Sequence, residues 1–315
     1  MKLLRFDMPS AKTDFIDRIR CLDSSIETEA VQNKALTERE HNAIARMLRN
    51  GLAVVSFASL EDYIKKRSSE AMAEISRCTI LFTELPEKLQ KAATYEVLSA
   101  LNYQLGLLDK DDKPAYVQEH ALKIASTATP NFELSAHTFG YSQANISNTV
   151  VGSILKSFNV EDPWRQMSLM SSDLGLTAAL SLSEIFGSAS LRRHRAAHVA
   201  GADTPPTDIK QFVKEAFAIA ITFDALLSKA IQKLIENDDD FVRNGQKVDA
   251  SSVKFRTIKF VDGRWKEYIG NSRRAFRTSN ELDVLQREAR RRAHMSKEVI
   301  VEFDEQGLVN WWECR

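Results

Sequence analysis

The sequence contains no stretch of about 18 consecutive apolar residues, so no membrane span is expected. Glycine and proline are scarce, 11 and 7 in 315 residues; few places are left to interrupt a helix, and helical periodicity dominates. Cysteine is scarcer still. Cys21, Cys78 and Cys314 are odd in number and far apart, which excludes a disulfide framework or a zinc spacing and points to reduced thiols in a cytoplasmic setting. A net charge is also missing: Lys plus Arg and Asp plus Glu both number 43, so the whole molecule has no electrostatic bias toward nucleic acid. The opening Met1-Lys2-Leu3-Leu4-Arg5-Phe6-Asp7 reaches an acidic residue before an apolar stretch develops, unlike a signal peptide.

What is present is an ordinary globular composition, 43% hydrophobic and 27% charged, sufficient for a sizeable core. Apolar residues at Phe15, Ile16, Ile19, Leu22 and Ile26 mark one helical stripe between Ala11 and Gln32. Thr37-Glu38-Arg39-Glu40 has the form of a capping box and opens a long helix toward Ser76, with a bend expected near Gly51. Further helices are expected at about 87–108, 114–126, 144–158, 172–193 and 206–236. Residues 127–143 read as a loop and Asp162-Pro163-Trp164 as a break. Asn237-Asp238-Asp239-Asp240 ends the helical part, giving a helical domain over 1–240.

The pattern then changes. Ser252–Val261 is rich in β-branched and aromatic residues, and Asp262-Gly263 turns it into Arg264–Ile269. A short helix near 281–294 precedes a second strand pair, 299–303 and 308–312, joined across Gly307. Residues 250–315 therefore form a small α+β module, too small for a strong core of its own and expected to pack on the helices. Charge is unevenly divided: this module holds 14 basic and 10 acidic side chains against 29 and 33 in the remainder. The closing Trp311 and Trp312 are read as packing residues rather than base-stacking ones.

The segment most suggestive of chemistry is Ser190-Leu191-Arg192-Arg193-His194-Arg195-Ala196-Ala197-His198. It has three plain readings. A basic helix end is favoured by the dipole at a helix C-terminus. A zinc site is suggested by His194 and His198 four residues apart, but three arginines nearby repel a cation and no third ligand is evident, so no metal is expected. The third reading is phosphodiester cleavage. Attack of a ribose 2′-hydroxyl on its own phosphate needs a proton acceptor and donor that works near neutral pH, which imidazole provides. The charge gathering on phosphorus suits a planar, permanently charged guanidinium.

Arg193, four intervening residues and His198, with His194 directly after the arginine, resemble the signature of the HEPN superfamily, especially its RiboL-PSP-like branch. Arg192 offers an alternative start with five intervening residues. The resemblance covers residues 12–236, including Leu60-Glu61 and the stretch Phe158 to Trp164. It implies a mainly α fold, a HEPN-like helical bundle with extra helices and the small C-terminal module. It also implies a metal-independent, cofactor-free endoribonuclease that works as a homodimer, with one composite cleft holding two Arg and two His. On that reading His198 is the acid/base, Arg193 stabilises the phosphorane, His194 orients or assists, and Glu61 faces the motif from an earlier helix. Arg192 and Arg195 are expected to contact RNA. Many such proteins are toxins or antiviral effectors, which implies an antitoxin or regulatory partner; the alternative is a non-catalytic RNA-binding or protein-interaction module. A second match to the spacing, Arg287 to His294, lies outside the bundle with Glu288 beside the arginine and is read as a basic helix; with Arg273 and Arg274 it is taken first as solvated surface, and contact with RNA backbone is the alternative.

Overall fold

The computed structural model describes residues 10–177 and 181–314, so the reading of Met1–Asp7 lies outside them. The helices are α1 (Ala11–Ile26), α2 (Arg39–Ile75), α3 (Glu87–Lys91), α4 (Val97–Leu107), α5 (Lys113–Ser126), α6 (Asn148–Ser157), α7 (Pro163–Leu174), α8 (Leu182–His198), α9 (Pro206–Ile235), α10 (Asp239–Val242) and α11 (Leu282–Ser296). A π-helical turn, Ala92–Glu96, joins α3 to α4. The strands are β1 (Phe255–Val261), β2 (Arg264–Ile269), β3 (Arg277–Ser279), β4 (Val299–Phe303) and β5 (Val309–Glu313).

The bundle is built on α9, whose side chains from Ala216 to Leu227 are buried all round the helix, as an apolar circumference requires. Beside it runs α2, about 55 Å long at 1.5 Å per residue, packed against α1, α8 and α9. The stripe read on α1 is the buried one: Phe15, Ile16, Ile19, Leu22 and Ile26 all lie in the core. Among the described residues α2 alone has the length and composition of a membrane span, which qualifies the expectation that none exists. Its charged residues Arg49, Glu61 and Arg67 are nevertheless buried against protein partners. Arg67 donates from Nε to Asp224 Oδ1 on α9 at 2.7 Å and from Nη1 to Glu74 at 2.8 Å.

The strands form one sheet in the order β3-β2-β1-β4-β5. β1 and β4 are parallel and the other neighbours antiparallel. Alternation along the strands divides the module between two cores. Ile258 and Ile300 pack with Leu285, Ala289 and Ala293 of α11 in a small cluster. Val301, Phe303 and Trp312 face the other way and join the core of the bundle. Trp312 is fully buried, edge-on to Phe15, Tyr63 and Phe217, and its Nε1 donates to Asp224 Oδ2 at 2.8 Å. The carboxyl of Asp224 is pushed up by burial, but the charge and hydrogen bond of Arg67 and the Trp312 donor outweigh this and hold it below the usual aspartate range.

Several local expectations are corrected. No capping box forms at Thr37: α2 begins after Glu38 without a side-chain cap, and Asn42 instead bonds the backbone of Lys34 and Ala35. The helix passes through Gly51 without interruption. Asp162-Pro163 is not merely a break but the start of α7, with proline in the first turn where its missing N–H costs nothing. The helix expected over 172–193 is α8, which begins at Leu182 and continues through the whole Arg/His segment. β3 was not anticipated.

Candidate functional site

The placement of the Arg/His segment follows from helical geometry. Leu182, Ile185, Phe186 and Ala189 are the buried face of α8, and each residue advances about 100° around the axis. Continuing that count puts Arg193 on the buried face, Arg192 at its flank, and His194 and His198 together on the outer side. The contacts agree. Arg192 Nη2 reaches Glu215 Oε2 on α9 at 3.2 Å, and Arg193 Nη2 donates to Asn145 Oδ1 at 3.0 Å. The rings of His194 and His198 lie 4.8 Å apart, inclined by 50°, with both residues exposed. Arg195 is exposed as well.

Within one chain, therefore, the two histidines form a pair while Arg193 is directed elsewhere. His198 follows Arg193 by five positions, with four residues between them, roughly 140° around the helix. The arginine lies against the segment between α5 and α6, and its Nε is buried without a hydrogen-bond partner. Glu61 is not the solvated side chain that a surface helix allows. It is buried on α2 and accepts the Ile146 N–H at 2.6 Å. Burial pushes its carboxyl above the usual glutamate range, opposed by that N–H and by the charges of Arg193 and Lys65. Glu61 thus faces Arg193 electrostatically, and its hydrogen bond goes to Ile146 rather than to His198. Lys65 Nζ donates to Ala144 O at 2.9 Å, so two residues of α2 hold the strand of chain that carries Asn145.

The other end of the segment is held by residues the sequence reading passed over. After His198 the chain leaves α8 in extended conformation at Val199 and turns back. Asn50 on α2 donates to Ala202 O at 2.8 Å and accepts from Thr204 N–H at 3.1 Å. Its neighbour Arg49, 1% exposed, donates to Asp203 Oδ1 at 2.6 Å, to Thr204 O at 3.0 Å and to Val31 O at 2.9 Å. A guanidinium using its several donors on three segments is a rigid clamp. It fixes the C-terminal turn of α8 against α2.

Between that turn and α2 lies an open groove of about 910 Å³, with His198 on one wall and Ile44, Met47 and Val55 on the other. Met47 is 69% and Val55 60% exposed, and Leu191 and Val199 on the motif side are also exposed. An apolar strip of this kind beside a polar site is the surface character of an interaction face.

A second polar cluster flanks the segment that holds Arg193. Tyr116 Oη lies 2.8 Å from His137 Nδ1 and Ser135 Oγ 3.0 Å from His120 Nδ1, with the two imidazole centroids 5.0 Å apart. Both histidines are pushed below the ordinary histidine value, first by burial. Among the described residues no group of three or more His, Cys, Asp or Glu is placed to hold a metal ion.

Compared with known proteins, residues 13–237 match the RiboL-PSP-HEPN family. No curated protein matches the chain, and no solved structure matches it.

Proposed function

The chain belongs to the RiboL-PSP-HEPN family, and from that membership we propose that it is a metal-independent endoribonuclease acting through Arg193 and His198. The observation that carries the reading is the exposed His194–His198 pair on the last turns of α8, clamped to α2 and next to an apolar groove. His198 takes the proton from a ribose 2′-hydroxyl or returns one to the leaving 5′-oxygen. Arg193 supplies charge to the phosphorane. The product ends are a 2′,3′-cyclic phosphate and a 5′-hydroxyl.

Arg193 and His198 diverge around α8 in a single chain, so the reading requires a homodimer. The exposed strip of Ile44, Met47, Val55 and Val199 supports it, because covering these side chains with a second copy seats the two motifs beside each other. A role as a toxin or antiviral effector under a regulatory partner belongs to the same proposal. The test is incubation of RNA with the purified chain in EDTA, followed by analysis of the new 3′ ends; cyclic phosphate ends support the reading and intact RNA rejects it.

The same divergence favours a second reading, a non-catalytic RNA-binding module of the same family. It requires RNA to be retained at low salt and never shortened.

A further inference from the structure

Residues beyond 237 lie outside the family match, and their surface carries a feature of its own. The connection from β2 to β3 and the outer side of α11 converge on Phe276, a residue 47% exposed. Three guanidinium carbons surround it: Arg256 at 5.5 Å, Arg277 at 5.7 Å and Arg292 at 5.7 Å from the centroid. Two of these cations are balanced from within. Arg256 is buried between Glu298, at 2.7 Å, and Glu267. Arg292 bonds Glu267 at 2.5 Å and Glu288 at 3.0 Å. Phe276 forms the lid of this internal network.

The outer tier is not balanced. Arg273, Arg274, Arg277, Arg287 and Arg291 are all exposed, and among the described residues none has a carboxylate at salt-bridge distance, the nearby Glu288 being engaged by Arg292. The charges of Arg277 and Arg291 both reach Glu288, so the loop and helix contributions occupy one neighbourhood. Arg287 stands one helical turn before Arg291 on the same side of α11. The loop is held in place: Phe276 N–H donates to Glu267 O at 2.7 Å, Arg274 N–H to Ser272 Oγ at 3.2 Å, and Asn271 to Asp173 of α7 at 2.9 Å.

We propose that this patch, an exposed phenyl ring within a set of uncompensated guanidiniums, binds the backbone and one base of single-stranded RNA. Guanidinium forks match phosphate oxygens, and an exposed aromatic ring accepts any base by stacking. An acidic or apolar partner protein would satisfy only one of the two chemistries. The patch belongs to the C-terminal module, whereas the motif lies on α8 of the bundle. The inference deepens the ribonuclease reading, on which it rests for naming RNA: the substrate is a strand long enough to engage both places.

The test uses the full chain carrying His198→Ala, so that RNA stays intact, and a single-stranded RNA of about 20 nucleotides, with affinity measured by fluorescence anisotropy across a salt series. R273A/R274A/R277A is expected to bind at least about 10-fold more weakly and to lower the salt slope by about 2. Phe276→Leu, which keeps an apolar lid over Arg256, should weaken binding about 5-fold with little change in slope. R287A/R291A on α11 provides an independent variant should the loop substitutions disturb folding, which circular dichroism reports. Unchanged affinity and slope in the loop and helix variants overturn the proposal. So does a loss confined to phosphatidylserine vesicles, which would assign the patch to a membrane surface. Loss of RNA binding in the variants, together with a wild-type chain that never cleaves RNA, supports the patch while rejecting the nuclease.

Discussion

His194 and His198 stand one turn apart on α8 with their rings 4.8 Å from each other, both open to solvent, while Arg193, directly before them in the chain, is turned inward to Asn145. Under the ribonuclease proposal the two imidazoles take unequal roles. His198 borders the groove and His194 does not. Replacing His198 by Ala is expected to reduce RNA cleavage by about 100-fold or more, the usual cost of a lost general acid or base. His194→Ala should cost only about 10-fold, as expected of an assisting group that is not itself the general acid or base. Single-turnover cleavage rates of the two variants check this ordering, and equal losses would contradict it.

Glu61 provides a pH signature. Its carboxyl is raised by burial, so the folded state holds this proton more tightly than the unfolded chain. Its contribution is fully present below the ordinary glutamate value of about 4.3 and is lost as pH rises through the higher folded value. Glu61→Gln keeps an oxygen acceptor for the Ile146 N–H and removes the ionisation. The stability of E61Q relative to wild type should therefore increase from acid toward neutral pH, whereas E61A should lose stability throughout. Urea unfolding of the three proteins at several pH values measures this, and a flat difference between E61Q and wild type would contradict it.

The contact of Arg67, Asp224 and Trp312 joins the bundle to the C-terminal module through a buried charge pair. Arg67→Met leaves Asp224 ionised in the interior without its cation, a change that costs about 3–5 kcal/mol. Trp312→Phe removes one donor and should cost about 1–3 kcal/mol. Denaturant midpoints test both. A loss below about 1 kcal/mol for Arg67→Met would be too small for a buried charge left without its partner.

Much of this architecture is visible in the sequence and some is not, for a physical reason. The stripe of Phe15, Ile16, Ile19, Leu22 and Ile26 is a local pattern, and it is buried as read. The Asp262-Gly263 turn is local too: both residues have positive φ, 53° and 73°, as a two-residue hairpin turn demands. Thr37 misleads because a capping box competes with other bonds, and here the side chain of Asn42 ties down the approach to the helix. The clamp of Arg49 and Asn50 on Asp203 and Thr204 spans more than 150 positions, beyond any periodicity or spacing rule. Asn145, in a polar loop, has no local mark that distinguishes it from its neighbours. The Arg/His segment stands out in the sequence, but its division into an outward pair and an inward arginine emerges only when the buried face of α8 is known.

The apolar strip at the groove makes a claim about assembly. Met47→Asp with Val55→Asp places two carboxylates on surface that pairing would desolvate. Light scattering should find the wild type as a dimer and this variant as a monomer, with RNA cleavage lost although the fold, followed by circular dichroism, is retained. A monomeric wild type would remove the basis for a composite site.

The most direct measurement is cleavage of one RNA in EDTA by Arg193→Ala and His198→Ala, each alone and then mixed after unfolding and refolding together. A site assembled from two chains predicts that each variant alone is about 100-fold or more impaired, and that the mixture regains cleavage because one chain supplies the arginine and the other the imidazole. Full activity in either variant alone, or no cleavage by the wild type, would contradict the account.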